Sequence, residues 1–307
     1  MNGPVPSCCR GTCFGYGVRS ELGLRYLREG DGDPLEIVDG GSFDSPPGEL
    51  LREWRPPVYP THVRLHGADA GFRLWFEDGG WIGVEPHVPR IIVPAGSDLL
   101  RVEERLWGLP ILLCFLERGD VPLHASCVEV GGRALLLAGP SGFGKTTLAA
   151  AFAEAGHRLL SEDLSCLRPG DPWKVVPGPA MLRIRTDVAH VVRPSGVREL
   201  RRDGERVHWA LEVGRGTCDP VPLVGMVLLN VDDTDPRLEP ATGAEVIRSL
   251  WAVSFNLPTD EDRARSFTAV AELAAAIPTW SLTRRLAPDA LRPTIECLLG
   301  AVGQVGR

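Results

Sequence analysis

The chain has 307 residues, 44% hydrophobic and 24% charged, with a formal net charge of −7. That size and apolar fraction allow one large domain or two modest ones around a real core, and the acidic balance argues against a nucleic-acid partner, which calls for a basic face. No apolar run is long enough to span a membrane and the first residues lack the basic-then-apolar layout of a signal peptide, so a cytoplasmic protein with no membrane partner is expected.

In chain order, residues 1–101 are rich in Gly, Pro and short alternating runs such as Val63-Arg64-Leu65 and Phe72-Arg73-Leu74-Trp75-Phe76. Turns at Asp31-Gly32-Asp33-Pro34 and Asp78-Gly79-Gly80 punctuate them, which predicts a small β-rich N-terminal domain. Cys8, Cys9 and Cys13 group near the start without CxxC spacing or a fourth ligand, so a disordered or lightly packed leader is expected there rather than a metal site. The other cysteines lie scattered, mostly in apolar segments, and read as reduced core residues. Leu106 to Leu116 is expected to be one buried helix, kinked at Pro110, at the head of a second domain over residues 102–307.

Within 102–307, Leu123 to Val130 reads as a strand, Gly131-Gly132 as a two-residue hairpin turn, and Ala134 to Ala138 as a wholly apolar strand. Lys145 to Ala155 is an alanine-rich helix capped by Gly156, and His157 to Ser161 is the next strand. Strands continue through Leu182-Arg183-Ile184 and Leu223 to Asn230. Ala244 to Trp251, Glu261 to Ala276 and Pro288 to Val302 predict a mainly helical C-terminal part.

Between the apolar strand and the alanine-rich helix, Gly139-Pro140-Ser141-Gly142-Phe143-Gly144-Lys145-Thr146 fits G-x-x-x-x-G-K-[ST] at every fixed position, in the strand–loop–helix context that a P-loop requires. Glycines let backbone N–H groups turn inward around phosphate oxygens, and the helix N-terminus adds its partial positive charge. Lys145 is expected to reach the β- and γ-phosphates of ATP, Thr146 to ligate Mg²⁺, and Thr147 to complete the nucleotide-contacting set. Apart from Lys145, Lys174 is the only lysine of the chain. A sequence that uses arginine for generic positive charge has kept a compact ammonium in this loop, where a planar fork would not fit.

Glu162-Asp163 closes the strand that follows the helix, where a carboxylate faces a phosphate loop. One carboxylate there can hold Mg²⁺ through water, and a second can accept the proton of an attacking hydroxyl. If Gly131-Gly132 is a two-residue turn, Val130 faces Arg133, and counting the register back sets His124 opposite Gly139. His124 is then either a group at the nucleotide site or a satisfied core histidine. Ser126 and Cys127 read as packing. Nothing singles out one of Arg183, Arg185, Arg201, Arg202 and Arg206 as a phosphate contact.

At Leu123-His124-Ala125-Ser126, the glycine loop and Gly156-His157-Arg158-Leu159-Leu160-Ser161-Glu162-Asp163, the chain resembles the catalytic domain of HPr kinase/phosphorylase, a bacterial serine kinase built around a P-loop. Phe14-Gly15-Tyr16-Gly17-Val18-Arg19-Ser20-Glu21-Leu22 is similar to the start of a looser group of HPr-kinase-related proteins. The resemblance implies an α/β P-loop domain of the HPr kinase C-terminal type, with His124 beside the phosphates and Glu162 as general base, which leaves Asp163 with Thr146 on the metal side. The family's first acid is usually Asp. Its later Leu-Glu-Ile-Arg-Gly signature meets Leu182-Arg183-Ile184-Arg185-Thr186, which lacks the metal-binding Glu. Related kinases phosphorylate a serine of peptide natural-product precursors. The expectation is therefore ATP- and Mg²⁺-dependent transfer to a Ser or Thr hydroxyl of a protein or peptide, with self-association left open. A kinase of a small-molecule alcohol and a non-catalytic nucleotide-binding regulator fit the same residues.

Overall fold

Alternation of apolar and polar residues builds the first sheet, in a computed structural model that describes residues 9–40, 43, 48–56, 61–212 and 218–303. Its strands are β1 (Cys9–Cys13), β2 (Tyr16–Ser20), β3 (Asp33–Asp39), β4 (Leu50–Trp54), β5 (Val63–Ala68), β6 (Gly71–Phe76), β7 (Gly80–Glu85) and β8 (Arg90–Val93). They pair in the order β1-β2-β3-β8-β7-β6-β5-β4. Val63, Leu65, Leu74 and Phe76 turn inward, while Arg64 and Trp75 between them face out, as a two-residue period requires. The stretch expected as a disordered or loose leader is a strand from residue 9 onward, with Cys13 fully buried in this core; Cys8 lies outside the described residues.

The single kinked helix expected over Leu106 to Leu116 is instead two helices, α1 (Leu99–Leu106) and α2 (Leu109–Arg118). Gly108 is the N-cap of α2, and Pro110 sits in its first turn, where a missing N–H costs nothing. Val102 and Leu106 of α1 and Ile111 and Phe115 of α2 join the core of the first sheet, so residue 101 falls inside a helix that packs on that sheet.

The rest of the chain contains β9 (Val121–Leu123), β10 (Ala125–Val130), β11 (Arg133–Ala138), α3 (Lys145–Glu154), β12 (Arg158–Ser161), β13 (Ser165–Arg168), β14 (Lys174–Val176) and β15 (Met181–Arg185). Then come β16 (Val197–Arg202), β17 (Arg206–Leu211), β18 (Val221–Val231), β19 (Arg237–Ala241), α4 (Ala244–Val253), α5 (Asp260–Ala276), β20 (Thr279–Arg284) and α6 (Leu291–Val302). A nine-stranded sheet runs β12-β10-β11-β18-β14-β13-β9, with β20 beside β18 and β19 beside β20, and β15-β17-β16 form a separate small sheet. Together they make a mixed α/β protein. Among the described residues no helix is long and apolar enough to cross a membrane.

β11 shows why its sequence is apolar throughout. Leu135 and Leu137 pack with α3 and α6 on one face, while Ala134, Leu136 and Ala138 pack with α4 and α5 on the other. Gly131 and Gly132 take φ of 58° and 78°, the two left-handed positions of a tight hairpin, and the β10–β11 register runs from Val130↔Arg133 to Ala125↔Ala138 as expected. Two further expectations differ from the fold. The strand expected over Leu123 to Val130 is broken at His124, because β9 pairs with β13 whereas β10 pairs with β11 and β12. The C-terminal part, expected to be mainly helical, supplies β20, which runs parallel to β18; Thr279-Trp280-Ser281-Leu282-Thr283 is the β-branched and aromatic alternation of a strand.

Direction decides where the site can form. β11, β18 and β20 are parallel, and β10 is antiparallel to both β11 and β12. The C-terminal ends of β12, β11, β18 and β20 therefore share one edge with the N-terminal end of β10.

Candidate functional site

The glycine loop leaves β11 at that edge and enters α3. Gly142 and Gly144 have φ of 84° and 78°, which favours glycine, and a Cβ on Gly139 would lie 3.1 Å from the Leu229 carbonyl oxygen. Gly144 is the N-cap of α3, and no side chain caps the helix, so its first N–H groups have no intrahelical acceptor and face the loop. Lys145 is buried, and its Nζ donates to the carbonyls of Gly139 at 2.8 Å and Pro140 at 3.1 Å. Burial lowers its pKa, against the pull of Asp163 and Glu162. Behind the loop lies Arg284 at the end of β20, 1% exposed. Its Nη2 is 3.4 Å from the carbonyl oxygens of both Phe143 and Gly144, and its Nε has no partner.

Glu162 and Asp163 follow β12 directly, yet their surroundings differ. The Glu162 side chain is 3% exposed and that of Asp163 is 48% exposed. Arg183 of β15 forks across the pair, Nε to Glu162 Oε2 at 3.0 Å and Nη2 to Asp163 Oδ2 at 3.1 Å. Glu162 Oε1 accepts a long contact of 3.4 Å from the Thr146 hydroxyl. Burial pushes Glu162 above the usual carboxylate range, more than Arg183 restores, and the neighbouring Asp163 adds to the rise. For Asp163 burial also acts upward, but Arg183, His124 and Lys145 outweigh it and hold the carboxyl below the usual range. Arg183 is pushed up, the two carboxylates overcoming its desolvation.

His124 occupies the break between β9 and β10, its backbone N–H bonded to the Val253 carbonyl at 2.7 Å. Its side chain is 46% exposed with Nδ1 3.3 Å from Asp163 Oδ1, so it is not a satisfied core histidine. Desolvation lowers its pKa, Asp163 opposing and Lys145 assisting. Ser126, expected only to pack, donates its hydroxyl to the Glu162 carbonyl and so holds the turn that carries the acids. Ser165 adds a second tie, donating to the Ala125 carbonyl at 2.9 Å. Phe14, Glu104 and Trp107 face Glu162, Asp163 and Arg183 across a cavity of about 50 Å³.

The fold thus brings Lys145, Thr146, Glu162, Asp163 and His124 to one edge, with Gly139 to Thr147 as the loop and first helical turn between them. Arg185, Arg202 and Arg206 of the five arginines named from the sequence do not hold either acid by a hydrogen bond, and Arg201 pairs instead with Glu104 at 2.8 Å. From the sequence Arg183 stands only as one of those five arginines and as a departure from a Leu-Glu-Ile-Arg-Gly signature. Arg284 went unnoticed, since no motif marks an arginine at the end of a strand. Among the described residues no group of three or more His, Cys, Asp or Glu could hold a metal ion. The oxygens of Thr146, Glu162 and Asp163 are nevertheless hard donors of the kind Mg²⁺ takes, and that ion is held by one or two carboxylates together with substrate phosphates.

No protein-family profile matches the chain, and no curated protein does. Among solved structures, the Hpr(Ser) kinase/phosphatase from Coxiella burnetii is similar, with 11% identity and a TM-score of 0.32 over 60% of this chain and 90% of that one. Identity and score that low do not decide what this chain does, and the functional reading rests on the geometry of the site.

Proposed function

We propose that this protein is an ATP-dependent kinase that transfers the γ-phosphoryl group to a Ser or Thr hydroxyl of a protein or peptide. The observation that carries the reading is a pair of adjacent carboxylates in opposite environments, facing a lysine-bearing glycine loop. Two titratable neighbours whose surroundings push their pKa values apart are suited to different tasks. Glu162, raised by burial, is the stronger base and takes the proton of the acceptor hydroxyl as its oxygen attacks the γ-phosphorus. Asp163, kept ionised by Arg183, is suited with the Thr146 hydroxyl to hold Mg²⁺, which when bound neutralises charge on the phosphates. Lys145 would leave the Gly139 and Pro140 carbonyls for the β- and γ-phosphates, and the free N–H groups of the loop would orient them. The acceptor hydroxyl would approach Glu162 from the cavity edged by Phe14 and Trp107.

The 3.4 Å contact between Thr146 and Glu162 favours a second reading, in which Glu162 shares the metal side and Asp163, more exposed and beside His124, is the base. Incubation with γ-labelled ATP and Mg²⁺ over a panel of Ser- and Thr-bearing peptides and small alcohols separates the alternatives. Label on a peptide or protein supports the proposal. Label confined to a small alcohol moves the acceptor class, and nucleotide binding without transfer or hydrolysis makes the protein a regulator.

A further inference from the structure

The edge that carries the acids and the loop continues past them. In strand order it presents Glu162-Asp163 after β12, His124 before β10, the glycine loop after β11, the segment after β18, and the segment after β20. The acids lie on one side of the loop. On the other side an open pocket of about 370 Å³ lies between Val231, Asp232 and Asp233 at the end of β18 and Arg285, Leu286 and Ala287 after β20. We propose that this pocket takes the nucleoside half, base and ribose, of the nucleotide whose phosphates sit on the glycine loop.

The assignment rests on the kinase reading, and direction is its first support. If the γ-phosphate points toward Glu162, the α-phosphate and the sugar must leave the loop on the far side, over β18 and β20. Ligands of parallel sheets bind beyond the carboxyl ends of the strands, which is where both segments lie. β20 is two strand spacings from β11, roughly 10 Å, so a nucleoside tethered to phosphates on the loop reaches it.

Chemistry is the second support. Val231 and Leu286 are large apolar side chains left exposed on opposite sides of the pocket. Leu286 adjoins the loop itself: a Cβ on Gly144 would lie 3.1 Å from its Cδ2. Two apolar walls suit the faces of a flat heteroaromatic base. Asp232 accepts from the backbone N–H of Asp233 at 2.8 Å, which orients the turn, and among the described residues no hydrogen bond or ion pair holds the Asp233 carboxylate. It is suited to accept from ribose hydroxyls. Arg285 is held by Asp289 at 2.9 Å, which fixes the other wall. The volume lies within the range of about 300–1,000 Å³ that small-molecule sites occupy.

The test compares ATP with inorganic tripolyphosphate, both with Mg²⁺, by calorimetric titration. Wild-type protein is expected to bind ATP more tightly than tripolyphosphate, the difference being the nucleoside's share. Replacing both apolar walls, Val231→Ser with Leu286→Ser, should weaken ATP on the order of tenfold and leave tripolyphosphate unchanged. Ala287→Trp, which fills the pocket from a half-exposed position, should do the same and guards against a fold defect in the double variant. Equal affinity of wild type for the two ligands overturns the assignment, as does a variant that weakens both alike or neither. If wild type binds neither ligand, the phosphate-loop reading fails and this one with it; if tripolyphosphate binds and the variants leave ATP untouched, only the pocket is wrong.

Discussion

The two halves of the site are held by different means. The cationic half is local: Lys145 is anchored by carbonyls five and six residues before it, and the loop's shape comes from its own glycines. The acidic half is stitched from three distant places, with Glu162-Asp163 fixed by Arg183 of another sheet and by the Ser126 hydroxyl and His124 at the start of β10. A locally built half tolerates change around its key group but not at it. A half assembled by long-range contacts fails when any tie between distant segments is cut. That contrast can be broken or sharpened by substitution.

The largest effect is expected at Lys145. Lys145→Ala should reduce nucleotide turnover to background, and Lys145→Arg should be nearly as damaging, because a guanidinium cannot occupy the space of an ammonium held between two loop carbonyls. Turnover by the Arg variant near the parent rate would break the argument that the loop requires a compact cation.

Next in size is Glu162→Gln, expected to retain ATP affinity while lowering single-turnover transfer on the order of 10²–10⁴-fold. The pH profile gives an independent reading. Because burial raises Glu162, the acid limb of the wild-type transfer rate should lie above the ordinary carboxylate pKa of roughly 4.3, and that limb should disappear in the variant. If instead Asp163→Asn removes the limb and Glu162→Gln only raises the Mg²⁺ requirement, the two acids exchange roles.

The same contrast explains how much was legible beforehand. Glycine spacing, the lone lysine of the loop, the hairpin turn and the apolar strand all concern neighbours in sequence, where φ, helix capping and two-residue periodicity act directly. The acids were legible too, from their position after a strand. Arg183 was not, because the sequence holds many arginines and only the packing of β15 against the turn selects one. His124 was placed by register although its strand is interrupted, since the β10–β11 pairing holds up to Ala125 and leaves His124 at the correct end. The β20 strand was missed because a short alternating segment between helices carries little signal until a parallel partner is known.

Arg183→Met tests the long-range tie by stability rather than rate. It leaves Glu162 buried without its counter-charge, which should cost on the order of 3 kcal/mol at neutral pH, measured by denaturant unfolding. The sign of the pH dependence follows from the two acids. Glu162, raised in the folded state, loses stability as pH climbs from its unfolded pKa toward its folded one, and without Arg183 that loss extends further. Asp163, depressed in the folded state, contributes stability above its unfolded pKa, and Arg183 is the largest of the cations that lower it. The Glu162 share of the gap between variant and wild type should be largest at neutral pH and fade toward pH of about 4, whereas the Asp163 share persists there and is lost only as pH falls through its lowered folded pKa. A gap independent of pH would mean that Arg183 acts through packing alone.

The smallest effect, and the one that most sharpens the comparison, is expected at Arg284. Its guanidinium is buried behind the loop, its contacts to Phe143 and Gly144 are long, and among the described residues no carboxylate pairs with it. Burial lowers its pKa, which is the mark of a charge that folding does not favour. A lone buried cation of this kind is a burden on stability, so Arg284→Met, similar in length and apolar, should melt no earlier than wild type. Yet the charge stands directly behind the loop proposed to hold phosphate, and its field would reach a bound polyphosphate through protein rather than through water. Affinity for tripolyphosphate and for ATP should therefore fall together, by a few-fold to about tenfold, an effect that rising salt diminishes only weakly because the charge is buried. Lys145 and Arg284 would then divide the cationic half between a group that touches phosphate and one that supports the loop from behind. An early-melting variant with unchanged affinity would assign Arg284 to the architecture of the loop and leave Lys145 as the only cation the phosphates sense there.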